Sequence, residues 1–182
     1  MSNERPKRRR WFQFKLRTLL IAILVLSLPL SWFAVRLERA RRQREAVQVI
    51  EALGGTVWYY PDKPYTKFLC RILGSEFLVT VAGVDLCMIE VTDADLECLK
   101  HLDHMDMVEL NCTPITDAGL SHLQTLTSLE CLSISDTQVT DNGLRYLKGL
   151  TNLVALHISD TEVTSEGVRK LQQALPNCRI EY

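Results

Sequence analysis

Apolar side chains in the second half of this chain recur with a period of 24 residues. Three consecutive blocks align without a gap: VTDADLECLKHLDHMDMVELNCTP from Val91 to Pro114, ITDAGLSHLQTLTSLECLSISDTQ from Ile115 to Gln138, and VTDNGLRYLKGLTNLVALHISDTE from Val139 to Glu162. A shortened fourth block, VTSEGVRKLQQALPNCRIEY, closes the chain. Val81, Val84, Leu86 and Ile89 extend the phase upstream, each 24 residues before Met105, Val108, Leu110 and Thr113. Within a block, Leu120, Leu123 and Leu126 recur at a spacing of three, which suits the inner face of a short helix. Thr116 or Asp117 precedes that helix as an N-cap, and the same threonine returns as Thr92, Thr140 and Thr164. Leu129, Leu132 and Ile134 then supply a short strand with alternating inward side chains. One unit cannot bury its apolar side alone, so each must stack on its neighbour.

Upstream the pattern changes. Thr18 to Val35 (TLLIAILVLSLPLSWFAV) runs for 18 residues without a charge, against the ~17 to 20 needed to cross a hydrocarbon layer of ~30 Å. Trp11 and Trp32 stand near its two edges, where indoles favour the membrane interface. Pro29 would at most kink a spanning helix. The run lacks the polar face of a helix packed on a soluble core. Leader-peptide cleavage wants small residues at positions -3 and -1 just after the apolar stretch, and Trp32 is bulky at the -3 position relative to Ala34, so the run is expected to stay as an anchor. Glu38 to Leu53 then reads as a helix with Ala46, Val47, Ile50 and Leu53 on one side, stopped by Gly54-Gly55. Thr56 to Tyr60 has strand composition, Pro61 to Pro64 forms a turn, and the apolar stretch Phe68 to Val79 is expected to cover the open end of the stack. At the other end Pro176 stops the last helix before a strand at Cys178 to Ile180. The organisation expected is a basic tail (1–17), a transmembrane helix (18–36), a helical linker with N-terminal cap (37–80), and a repeat domain (81–182) whose C-terminal cap begins at 163.

Charge sharpens this division. The net charge of −1 averages two opposite segments. Residues 1–45 carry 12 Lys and Arg against Glu4, Glu38 and Glu45, or +9, and the remainder is −10. Seven basic residues precede the apolar run and five follow it closely, a difference that favours a cytoplasmic N-terminus and extracytoplasmic repeats. The leader RPKRRR could serve nucleic acid or anionic lipid. Nucleic-acid recognition wants aromatics among the charges and a basic folded domain, whereas this body is acidic; a topological and lipid-headgroup role is the more economical reading.

The repeat pattern, L-x-x-L-x-L-x-x-T-x-[VI] joined to V-T-D-x-G-L, resembles leucine-rich repeats. More narrowly, it looks like a bacterial group with an N-terminal anchor followed by a few 24-residue units of this kind. The resemblance covers residues 81–182 strongly and 1–60 in layout, and it departs at Ile89, which stands where the other units have Thr113, Thr137 and Thr161, as an atypical terminal repeat would. It implies an α/β solenoid, with short parallel strands on the concave face and short helices on the convex face. It also implies that the concave sheet face is the contact surface.

Phase assigns that face to Gly83, Asp85 and Cys87; Met107, Glu109 and Asn111; Cys131, Ser133 and Ser135; and Ala155, His157 and Ser159. Their mixed polarity suits a protein partner better than a deep ligand pocket, although an ordinary solvated sheet face would look much the same. Four strands by three residues make a strip of only about 200 Å², short of the roughly 800 Å² per partner of a stable interface. Flanking loops or self-association in the membrane would have to add to it. Asp85, Glu109, Ser133 and His157 share one phase, but a hydrolytic triad needs histidine between nucleophile and acid. Here Ser133 intervenes, leaving Glu109 and His157 about 9.6 Å apart. The chain is therefore read as non-enzymatic.

None of the six cysteines (Cys70, Cys87, Cys98, Cys112, Cys131 and Cys178) falls in C-x-x-C or another zinc spacing. Reduced, core-filling thiols are expected, although six free thiols sit awkwardly with an extracytoplasmic location. His101 and His104 could share a helix-end surface without a third ligand. No phosphate loop or dinucleotide fingerprint occurs, and no cofactor is expected. The leading expectation is a membrane-anchored interaction module for a protein or cell-envelope partner, with lipid contacted through the anchor and basic flank, no nucleic acid, and room for a homo-oligomer. The alternative is a structural, self-associating envelope protein without a distinct ligand.

Overall fold

The computed structural model describes residues 16–60, 80–102 and 104–182. The basic tail (but for its last two residues), the turn expected at Pro61–Pro64 and the apolar cover at Phe68–Val79 lie outside them. The chain forms two compact units, Met1–Glu38 and Arg39–Tyr182. Helix α1 runs from Leu16 to Ala52 through Pro29 without a break. Among the described residues no helix is long and apolar enough to cross a membrane. The side chains of Thr18–Ile23, Leu26 and Pro29, nearly half of the apolar run, lie outside that description. Those of Leu24, Val25, Leu28, Leu30, Trp32, Phe33 and Val35 are exposed.

Within the second unit, Ala46 and Ile50 of α1 are buried in the core and Val47 packs against it, the face expected from their spacing. The helix stops at Gly54, whose φ of +93° only glycine adopts readily, and the Gly55 N–H returns to the Ile50 carbonyl at 2.9 Å.

Six strands form one sheet in chain order: β1 (Thr56–Tyr59), β2 (Val81–Asp85), β3 (Met107–Glu109), β4 (Cys131–Ser133), β5 (Ala155–His157) and β6 (Arg179–Glu181). β1 lies antiparallel on β2, and every later pair is parallel. The register aligns Val84, Val108, Leu132, Leu156 and Ile180 across the sheet, so the 24-residue period of the sequence is also the period of the ladder. Connecting the parallel strands are a 3-10 helix at Asp95–His101, α2 (Asp117–Leu123), a second 3-10 helix at Gly143–Gly149, and α3 (Ser165–Ala174). Two of these four short helices are thus 3-10 rather than α.

The leucine positions behave as stacking requires. Leu96, Leu120 and Leu144 are 0%, 0% and 2% exposed, and Leu99, Leu123 and Leu147 are all fully buried. Around them Val91, Ile115 and Val139, then Leu110, Ile134 and Ile158, close the same continuous core. A threonine follows each of β3, β4 and β5: Thr113 and Thr137, both buried, and half-buried Thr161 donate their hydroxyls to the carbonyls of Leu110, Ile134 and Ile158 at 2.6–2.7 Å. Ile89 interrupts that series at the first unit. Just before this threonine position the chain turns through positive φ at Met88, Cys112, Asp136 and Asp160, with values of 59°, 55°, 55° and 55°.

Candidate functional site

The parallel register gathers the outward side chains of β2 to β6 into rows. Asp85, Glu109, Ser133, His157 and Glu181 form one row, and Gly83, Met107, Cys131, Ala155 and Arg179 the next. Asp85, Met107, Glu109, Asn111, Cys131, Ser133, Ser135, His157 and Ser159, the residues expected on this face, are all half-buried. Gly83, assigned to the same face by phase, is instead covered. It is buried beneath Trp58 of β1, and a Cβ there would come within 2.9 Å of the indole Cε3. β1 thus limits the accessible face at its N-terminal end.

Several of these polar groups are already engaged with one another. The Asn111 side-chain oxygen accepts the Ser133 hydroxyl at 2.7 Å and the Ser135 N–H at 2.9 Å. Asn111 is therefore a tie between neighbouring strands as much as a recognition group. The Ser133 proton lies on Asn111, and His157 places Nδ1 2.8 Å from Glu181 Oε2. Nucleophile and imidazole are occupied in different directions, so these residues do not form an acyl-transfer arrangement.

Glu181 and Arg179 escaped the sequence reading, although both carry its signal. They stand 24 residues after His157 and Ala155, and reading the phase one step further would have found them. Arg179 Nη2 reaches Glu181 Oε1 at 2.7 Å, so imidazole, carboxylate and guanidinium form a polar cluster at the C-terminal end of the face.

The opposite end is acidic and thiol-bearing. Asp85, Cys87 and Glu109 each bring one donor atom to within 4.8 Å of the others. Asp85 Oδ1 accepts the Cys87 N–H at 2.9 Å, and the Cys87 thiol points to Glu109 Oε2 at 3.8 Å. Partial burial, then the hydrogen bond to Asp85, push the Cys87 thiol up to about 11. Two carboxylates and a sulfur suit a borderline cation such as zinc in donor type, but a thiolate would have to be released against that raised pKa. Cys131 is also pushed up, by desolvation and then by Glu109. The core-filling role expected of the cysteines holds fully for Cys178 alone among those described. Cys112 is exposed, and Cys87, Cys98 and Cys131 are half-buried, because the repeat phase gives their positions to the concave face, a turn and a helix flank.

Residues 125–148 and 149–171 match the leucine-rich-repeat family model, so the chain carries leucine-rich repeats. No curated protein matches it. Among solved structures it is similar to a leucine-rich-repeat protein of Leptospira interrogans, at 18% identity and a TM-score of 0.36, over 47% of this chain and 21% of that one. It is also similar to an internalin (inlF) of Listeria monocytogenes, at 20% identity and a TM-score of 0.37, over 50% of this chain and 32% of that one. A third similarity is to an internalin C2 of the same organism, at 17% identity and a TM-score of 0.30, over 55% and 70%. The chain therefore spans about a fifth and a third of the first two.

Proposed function

We propose that this chain is a membrane-anchored interaction module, whose concave sheet face binds a protein or cell-envelope component. The observation that carries the reading is the half-buried polar row Asp85–Glu109–Ser133–His157–Glu181, built on five strands held in one register. Rigid strands hold such side chains at repeating separations of about 4.8 Å, which a partner's donors can match. Acids dominate the N-terminal half of the row, so that half suits a partner presenting amide or cationic donors. By strand spacing the five strands offer about 240 Å², still below the roughly 800 Å² of a stable interface, so loops at the strand ends belong to the contact.

Anchoring rests on the 18 uncharged residues Thr18–Val35, on their lying within a single helix, and on the exposure of every described large apolar side chain there. Leaving such side chains in water forfeits roughly 1.5–3 kcal/mol each. The excess of basic residues before the run favours repeats on the extracytoplasmic side. A second reading, self-association without a distinct ligand, draws on the outer edge of β6, which pairs with no further strand among the described residues and could template another copy.

A photo-crosslinking amino acid at Met107 or Ser135 of the full chain, activated in native membranes, tests both. A heteromeric product from Met107 or Ser135, absent when the probe is at exposed Arg145 on the helix side, is the expected result. Homomeric products alone would favour the second reading, and no product at either concave position would overturn the first. Protease protection of the repeats in sealed vesicles reads the sidedness.

A further inference from the structure

We infer that Asp85, Cys87 and Glu109 hold a zinc-type divalent cation at the N-terminal end of the concave face. Asp85 and Glu109 are paired across β2 and β3, and Cys87 stands two residues beyond Asp85, in the turn that leaves β2. Each of the three is half-buried, and each offers one donor atom within 4.8 Å of the other two. Linear spacing conceals this set, because only the parallel register brings Glu109 to Cys87.

The separations are close to those an ion requires. Zinc bonds of about 2.0–2.2 Å to oxygen and about 2.3 Å to sulfur, tetrahedrally disposed, leave neighbouring donors roughly 3.3–3.8 Å apart. Cys87 Sγ already lies 3.8 Å from Glu109 Oε2. A separation as wide as 4.8 Å has to close by at most about 1.5 Å, which side-chain rotation on a fixed backbone supplies. Asp85 Oδ1 accepts the Cys87 N–H at 2.9 Å. That bond fixes the turn carrying the sulfur, and the carboxylate has a second oxygen to offer.

The donor types select the ion. Magnesium and calcium take oxygen ligands, in sets of about six or more. A sulfur among only three protein donors turns the preference towards a borderline or soft cation of the zinc type. Cys131 of β4 adds to this, since burial and then Glu109 raise its thiol: a second sulfur borders the same carboxylate. Burial, and then Asp85, raise the Cys87 thiol. A dication at the same place reverses that balance, because a coordinated thiol is deprotonated outright. On binding, the S–H bond breaks, a sulfur–metal bond forms and the proton passes to solvent. Three protein ligands leave one tetrahedral position for water or for a side chain from outside. The site stands whether or not the face binds a partner.

The test titrates the full chain, purified in detergent with a phosphine reductant, with Cd²⁺ as a spectroscopic stand-in for Zn²⁺. Cadmium on a thiolate gives a near-ultraviolet charge-transfer band that oxygen ligands do not. A band saturating at one Cd²⁺ per chain is expected, displaced by Zn²⁺ and not by excess Mg²⁺. Cys87→Ser should abolish it. Asp85→Asn and Glu109→Gln should each weaken Cd²⁺ binding about tenfold or more, since even outer-shell partners of a metal are worth about 10- to 100-fold. Cys112→Ser removes an exposed thiol outside the set and should leave the titration unchanged. No saturable band in the parent chain, a band that survives Cys87→Ser, or parental affinity in both carboxylate variants would overturn the inference. An equal loss in Cys112→Ser would do the same. Metal-free thermal unfolding of each variant separates a lost ligand from a lost fold.

Discussion

The carboxylate of Asp117 reaches across one repeat to Thr140, accepting its backbone N–H at 2.8 Å and its hydroxyl at 2.7 Å. Asp93 does the same for Thr116, at 2.8 and 2.6 Å, and Asp141 for Thr164, at 2.8 and 2.7 Å. This is the physical content of V-T-D-x-G-L: the aspartate of each unit satisfies the threonine that begins the helical segment of the next. The glycine makes room for it, since a Cβ at Gly119, Gly143 or Gly167 would meet that same carboxylate. Both ends of the series depart from the motif. Leu69 stands 24 residues before Asp93, and Asp95, in the glycine position, accepts the Thr92 N–H at 2.8 Å and its hydroxyl at 2.6 Å. Ser165 stands in the aspartate position of the last unit.

Asp117→Ala should destabilise the second unit by about 2–3 kcal/mol, because two hydrogen bonds to a charged acceptor are lost and a backbone donor is orphaned. Asp117→Asn, keeping one acceptor oxygen, should lose less. Urea unfolding of both variants checks the order, and equal midpoints for Asp117→Ala and the parent chain would remove the bridge from any account of stability.

The same bridges predict an acid dependence. Hydrogen bonds from the Thr164 hydroxyl, then its N–H, hold the Asp141 carboxyl below its ordinary value of 3.8. With the folded pKa depressed, the unfolded chain takes up its proton first as the pH falls. The contribution is complete above 3.8 and is lost as the pH drops through the lower folded value. Asp141→Asn should therefore flatten the acid limb of a stability profile measured between about pH 5 and pH 2.

Gly119→Ala would place a Cβ 2.5 Å from Asp93 Oδ1 and 3.1 Å from Leu96 Cδ1. Alanine's better helix propensity, worth about 1 kcal/mol, is outweighed by a clash costing about 1–3 kcal/mol or the loss of the Asp93 bridge. The double variant Asp93→Ala/Gly119→Ala should cost clearly less than the two single losses added together. Strict additivity would show that the glycine is there for another reason.

Cys112 holds φ at +55°, whereas Asp136 and Asp160 occupy the equivalent turns. Asparagine tolerates left-handed backbone far better than cysteine. Cys112→Asn should raise stability by roughly 0.5–1 kcal/mol, and Cys112→Val should lower it, both read from denaturant midpoints.

Cys87 should be a slow nucleophile. A thiol moved from 9.0 to about 11 carries about a hundredfold less thiolate at neutral pH. Iodoacetamide labelling of Cys87, followed by peptide mass spectrometry on the folded chain, should keep accelerating beyond pH 9.5. In Asp85→Asn/Glu109→Gln the acceleration should begin at lower pH. A rate that levels off near pH 9 in the parent chain would contradict the placement of this thiol between two carboxylates.

Much of this was legible in residue order. Leu120 and Leu123 recur because each copy faces the same core, so their phase announced both the stacking and the outward positions Met107, Glu109, Ser133 and His157. In a stack where each unit touches mainly its neighbours, a one-dimensional period becomes the three-dimensional register directly. The phase also contained Glu181 and Arg179, which needed only one more step of 24.

Relations between residues outside that period were decided by the tertiary structure alone. Trp58 covers Gly83 because β1 joins the sheet antiparallel, a choice its composition does not specify. Arg39 and Arg42 meet Lys100 and His104 across about 60 residues of sequence separation because Ala46 and Ile50 draw α1 onto the end of the core. Even within the period, Asp93 bonds forward to Thr116 instead of capping its own segment, because the next unit's N–H lies within reach of its side chain. Burial is an averaged property that a repeating sequence can encode position by position; a particular pairing depends on where separate segments come to rest, and only folding brings those atoms together.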